Sequence, residues 1–159
     1  MTGSHKTLIL GIGNVLLSDE GAGVHAIRQL ADLSAQRDDI ELMDGGTLSF
    51  SLAGAIEDAE RLIVIDAAQY DGEPGTIKVF VGEQMDEFIG SNRKCSVHEV
   101  SLIDLMAIAH LTDQLPSKRA LIGIQPGEID WGETTSAAVS AAIPKACKHT
   151  LALIEAWRA

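Results

Sequence analysis

The stretch RLIVIDA, residues 61–67, carries Leu62, Ile63, Val64 and Ile65 in an unbroken apolar run that ends on Asp66. A strand that is apolar at successive positions is buried on both faces, the condition of a central strand in a parallel sheet covered by helices on both sides. Working outward, TLILGIG (7–13) and RALIGI (119–124) are runs of the same kind, and IELMD (40–44) is a shorter one. Between them, residues 21–33 place Val24, Ile27 and Leu30 or Ala31 at helical spacing, and a second helical stretch covers about 49–58. The order is therefore βαβαβ. Asp71-Gly72-Glu73-Pro74-Gly75 is dense in turn formers and leads into TIKVFV (76–81), where Lys78 points to a more exposed edge strand whose direction is open. Residues 96–109 read as a helix, and 134–158 as a terminal helical region with a kink or break at Pro144. The expected fold is a single doubly wound, three-layer α/β domain over residues 1–159, with a mostly parallel twisted sheet of about five strands and helices on both faces.

Composition narrows the function classes. With 46% hydrophobic and 22% charged residues the chain is globular, neither disordered nor membrane-spanning. Twelve basic against 23 acidic side chains give a formal charge of −11, which disfavours nucleic acid and anionic membrane surfaces as partners. Met1 to Thr7 lack the basic region and long apolar core of a secretory signal, so a cytoplasmic location is expected. Cys95 and Cys147 form no C-x-x-C pair and are expected to be inert reduced thiols.

In a doubly wound sheet, ligands bind beyond the carboxyl ends of the strands. Asn14, Ser18, Asp19 and Glu20 follow the first strand, Asp44, Gly45, Gly46 and Thr47 follow the second, and Asp66 closes the third. Carboxylates crowded at one edge raise each other's pKa unless a cation or a shared proton relieves them, so the cluster invites a metal. Ser96 and Glu99 have the spacing of a capping box, which puts His98 in a first helical turn where the helix dipole favours the neutral ring. Structural roles compete with these readings. Ser18 or Asp19 can cap the helix that begins near Gly21, and for Asp19 the cap is the favoured role; Asp44 before two glycines can be a simple turn. A carboxylate ending a wholly apolar strand, as Asp66 does, is harder to explain structurally. His5, His25, His110 and His149 have no such context. GIGNVL (11–16) has Leu16 where a dinucleotide fingerprint needs its third glycine, and that reading is discounted. QPGEIDWG (125–132) follows the last strand and should overhang the same edge, with Trp131 as either a partner contact or a loop anchor.

The segment GIGNVLLSDEGAG (11–23) resembles the opening signature of the nickel-iron hydrogenase maturation endopeptidases. DGGT (44–47), the strand ending Asp66-Ala67, SVH (96–98) and GIQP (123–126) resemble further blocks of that family in the same order, so the likeness covers nearly the whole chain. The resemblance implies a cytosolic processing protease that activates its partner, the hydrogenase large-subunit precursor, by removing a short C-terminal extension after nickel insertion. It implies Glu20, Asp66 and His98 as metal-binding residues and Asp44 as the family's glycine-flanked carboxylate. The metal is expected to be the nickel of the substrate, with other divalent cations able to substitute, and the peptidase to be of aspartic or metal-assisted type. Asp44 or Asp66 is the expected general base, and Gly45, Gly46, Thr47 and Trp131 the substrate contacts. Covalent catalysis by Ser96 or Cys95 is disfavoured, because a capping hydroxyl is engaged with backbone. Two other classes compete: a nickel-sensing or metal-delivery protein without proteolytic activity, and a flavodoxin-like nucleotide-binding module.

Overall fold

The computed structural model describes residues 6–46, 50–91, 102–127 and 129–158. The five strands β1 (Thr7–Ile12), β2 (Ile40–Gly46), β3 (Arg61–Ala67), β4 (Ile77–Val81) and β5 (Lys118–Ile124) form one sheet in the order β2-β1-β3-β5-β4. β2, β1, β3 and β5 run parallel, and β4 closes one edge antiparallel to β5. The βαβαβ start, the central place of β3 and the edge position of the Lys78 strand agree with the sequence reading, and the direction of that edge strand is now fixed.

Pleating sorts the side chains of each strand into two cores. Ile9, Ile63, Ile65, Ile122 and Ile124 face α1 (Ala22–Leu33) and α5 (Ala137–Arg158), which contribute Ala26, Ile27, Leu30, Ala142, Ile143 and Ala146. Leu8, Leu10, Leu62, Val64, Phe80 and Leu121 face α2 (Leu52–Asp58), α3 (Glu83–Ser91) and α4 (Leu102–Leu111) through Ile56, Met85, Leu105 and Met106. Helices on both faces make the three layers.

Three local expectations change. α3 has no counterpart in the sequence reading; its apolar signal is short, resting on Met85 and Ile89 four apart, with Phe88 stacked on Phe80 at 4.1 Å between centroids. Of the kink or break expected at Pro144, the break is absent: α5 runs as one helix through it. The loss of one backbone donor there is offset by the packing of Val139, Ala142, Ile143, Ala146 and Cys147 on either side. α2 begins at Leu52 rather than near Ser49, and Ser49 lies outside the described residues, as do residues 96–101 at the start of the expected 96–109 helix.

Close backbone contact seats α1. A Cβ at Gly23 would lie 2.1 Å from the carbonyl oxygen of Ile65 and 2.5 Å from that of Ile12, and one at Gly11 would lie 2.5 Å from the carbonyl oxygen of Gly23. Glycine is required because the facing atoms are backbone of two central strands and cannot step aside. Replacing Gly23 with alanine is expected to lower the unfolding free energy by about 1–3 kcal/mol, the usual cost of overpacking, read as a lower urea midpoint with an unchanged slope.

Candidate active site

The strand order makes β1 and β3 neighbours although the chain visits β2 between them. The connection from β1 crosses one face with α1 and the connection from β2 crosses the other with α2, so a crevice opens where the carboxyl ends of β1 and β3 meet. Asp66 closes β3 and is half-buried. Its register partner on β5 is Gly123, so no side chain stands beside it there. Strand alternation puts Asp66 on the face of Leu62 and Val64, the face covered by α4.

Glu20 reaches the same end of the sheet from a 3-10 turn, Ser18–Gly21. That turn packs on β3, and the carbonyl of Glu20 sits against Gly13, where a Cβ would lie 1.8 Å from it; Gly13 has a φ of +137°, open to glycine. The turn that carries Glu20 thus packs against the strand whose end carries Asp66. His98 and Thr47 lie outside the described residues, and so do Cys95 and Ser96. Among the described residues no three His, Cys, Asp or Glu side chains gather into a metal-binding group.

Asp44 stands at the same level of the sheet but on the other side of β1. It is in register with Gly11, itself in register with Ile65, so the pleat assigns Asp44 to the α1 face and Asp66 to the opposite one. Two strand spacings separate their strands, roughly 10 Å. The carboxylate of Asp44 accepts the N–H of Gly46 at 2.9 Å, across a shift in register that leaves Gly45 unpaired: in place of a simple turn, the two glycines continue β2 to Gly46. Gly46 has a φ of +46°, and its carbonyl receives the N–H of Gly13 at 2.9 Å, joining the end of β2 to the end of β1.

Asp19 departs from its expected role. No side chain caps α1, whose N-cap is Gly21. The carboxylate of Asp19 is instead fully buried and accepts the N–H of Gly127 at 2.8 Å and the N–H and hydroxyl of Ser136 at 2.6 and 2.8 Å. Ser18 donates its hydroxyl to the carbonyl of Asp130 at 3.0 Å, and Leu17 forms a parallel bridge with Gly132. The loop after β5 therefore folds over the β1 end, as the sequence suggested, and presents Trp131 and Ile129, 81% and 51% exposed, near Leu16, 50% exposed. No period or spacing in the sequence signals these ties, because their partners lie more than 100 residues apart.

Gln125 also went unnoticed as an organiser. Buried at the end of β5, it accepts the N–H groups of Tyr70 and Gly72 at 3.0 and 3.1 Å and donates to Gln69 at 2.8 Å, fixing the loop that follows Asp66. A groove of about 510 Å³ lies elsewhere, between α1 and the start of α5, lined by His25, Arg28, Asp32 and Glu133 among others; it includes none of Glu20, Asp44 and Asp66. His25 there has its basicity lowered by burial and then by Arg28.

Comparison with known proteins gives a consistent result. The family profile described as hydrogenase maturation protease, HycI, matches residues 24–153. A hydrogenase expression/formation protein HupD from Rhizobium leguminosarum bv. viciae is 35% identical over 153 residues, 96% of this chain and 75% of that protein. The hydrogenase 2 maturation protease of Escherichia coli K12 is 30% identical over 150 residues, 94% of this chain and 90% of that one. The solved structure of the hydrogenase maturating endopeptidase HybD from E. coli superposes with a TM-score of 0.83 at 30% identity, covering 94% of this chain and 92% of that one.

Cys147 is removed from the chemistry. It is buried under α1, donates to the carbonyl of Ala26 at 3.6 Å, and burial raises its pKa to about 11. At pH 8 the folded protein is expected to leave Cys147 unalkylated by iodoacetamide, and denaturant to expose it; peptide mapping by mass spectrometry reads both.

Proposed function

Because the chain belongs to the hydrogenase maturation protease family, a family of peptidases, we propose that it removes the C-terminal extension of a nickel-loaded [NiFe]-hydrogenase large-subunit precursor and so completes that subunit's maturation. The observation that supports this reading is that the turn carrying Glu20 packs on β3, whose end carries Asp66, beside the β1–β3 switch point. α4 covers the face on which Asp66 lies; His98, four residues before α4 in sequence, is the proposed third group.

Two carboxylates and an imidazole suit a divalent ion that keeps open positions. In this proposal Glu20, Asp66 and His98 meet the nickel already seated in the precursor, which is part of the substrate, and thereby hold the adjoining tail against the sheet end; other divalent cations can occupy the same donors. Holding the tail converts the attack of water into a step within one complex. Asp44, on the far side of β1, is too distant to share the ion with Asp66 and is the proposed general base: it takes a proton from water as the oxygen bonds to the scissile carbonyl carbon, and the proton leaves on the departing amine when the C–N bond breaks. The peptidase is thus aspartic in its base and metal-assisted in its substrate grip, without a covalent intermediate. In this proposal Gly45 and Gly46 give the tail a path without side chains near Asp44, Thr47 is a further substrate contact, and Trp131 contacts the body of the precursor. A cytoplasmic location is part of this proposal.

Purified protein mixed with nickel-loaded precursor is expected to release the C-terminal peptide, seen as a mass loss, and to leave nickel-free precursor uncut. Transfer of nickel without peptide release would instead establish a metal-delivery protein. Asp66→Asn is expected to slow processing by roughly 100-fold or more while melting stays cooperative, the scale of several kcal/mol of ion-linked stabilisation. Trp131→Ala is expected to raise KM roughly tenfold with little change in kcat, as a truncated docking residue does, measured from initial rates across precursor concentrations.

A further inference from the structure

A fully buried carboxylate beside a proposed ligand calls for a reason. Asp19 immediately precedes Glu20, does not cap α1, and receives donors from two places far away in the chain: Gly127 in the loop after β5, and Ser136 at the entrance to α5. Removing a charge from water is costly unless several donors replace the solvent, and here the backbone N–H groups of Gly127 and Ser136 and the Ser136 hydroxyl all point at it. The carboxylate therefore ties together the turn that carries Glu20 and the loop that carries Ile129 and Trp131. The bridge between Leu17 and Gly132 and the bond from Ser18 to Asp130 extend that tie on either side.

Resting on the assignments of Glu20 and Trp131 made above, we infer that Asp19 is a positioning residue: its carboxylate locks the Glu20 turn to the substrate-facing loop, so that the ion-binding carboxylate and the docking surface keep one fixed separation. The chemistry of the donors explains why the residue is an aspartate. One oxygen takes the Ser136 N–H, the other takes the Gly127 N–H and the Ser136 hydroxyl. An asparagine of the same shape has a single acceptor oxygen, so whichever way its amide is turned, one backbone N–H faces an NH₂ group and loses its acceptor. The serine hydroxyl can reverse its role; a backbone N–H cannot.

Asp19→Asn tests this in the full-length protein, assayed with nickel-loaded precursor well below the melting temperature. Its kcat/KM is expected to fall roughly tenfold, the scale of one charge-assisted hydrogen bond, with cooperative melting retained. The same change is then made in Glu20→Asp, whose carboxylate is already withdrawn by one methylene. If Asp19 acts through Glu20, its loss in that background shrinks to less than about threefold. A purely structural contribution would cost the same factor in both backgrounds, and that result, or wild-type kcat/KM in Asp19→Asn, overturns the inference. Ser136→Ala deletes only the hydroxyl donor and is expected to give a smaller loss in the same direction. Should Asp19→Asn fail to fold, that variant decides, and unchanged kcat/KM in it overturns the inference. Unimpaired processing by both Glu20→Asp and Glu20→Gln would instead remove Glu20 from the site, a failure of the underlying reading that is told apart because Asp19 is intact in both.

Discussion

β1 is pinned between β2 and β3, and the helices that connect these strands pass over opposite faces of the sheet. No connection can then lie across the gap at the carboxyl ends of β1 and β3, and the backbone carbonyls there are left facing a crevice. The rest of the molecule is arranged around that gap. Gly23 lets α1 press directly on the ends of both strands, Gly13 lets the Glu20 turn fold back onto β1, and Gly123 clears the place beside Asp66. Each glycine is a place where a methyl group would collide with backbone or a packed side chain, so the crevice is shaped by what the sequence leaves out as much as by its acidic groups.

The pleat then divides the acidic residues into two sets. Asp66 lies on the α4 face and Asp44 on the α1 face, separated by the width of β1 and both at its end. Groups so placed cannot serve one ion together, but they can flank a peptide laid across the end of β1, one side gripping and the other accepting a proton. The loop after β5 closes over the same end and is held by Asp19, Ser18 and Leu17, giving the exposed Trp131 a rigid base. A large exposed aromatic on a braced loop loses little entropy when a partner covers it.

Much of this was legible in the sequence because it is written in local terms. Unbroken apolar runs such as RLIVIDA identify strands buried on both faces, and their alternation with helical spacing identifies the layers, so the strand ends at which a crevice opens could be named in advance. The strand ending at Asp44 was legible for the same reason, whereas its continuation through Gly45 and Gly46 was not, because a shift in register against β1 leaves no local signal. Asp19 was misread because a cap is a local explanation, whereas its actual donors come from residues 127 and 136 and leave no periodic trace. Gln125 escaped notice likewise: a buried amide satisfied by the N–H groups of Tyr70 and Gly72 looks in sequence like any polar residue after a strand. α3 is too short for a periodic signal, and no break occurs at Pro144, where tertiary packing on both sides outweighs one missing helical bond.

Membership of the hydrogenase maturation protease family agrees with the fold and with a peptidase. The claim on which the proposed chemistry turns is narrower: three side chains, from the first loop, the third strand and the segment before α4, meet at one divalent ion. Crystals soaked in Ni²⁺ and measured across the nickel absorption edge test it directly. An anomalous peak within coordination distance of the carboxylates of Glu20 and Asp66 and the imidazole of His98 is the expected result. A peak bound elsewhere, with His98 turned away from the two carboxylates, would contradict it.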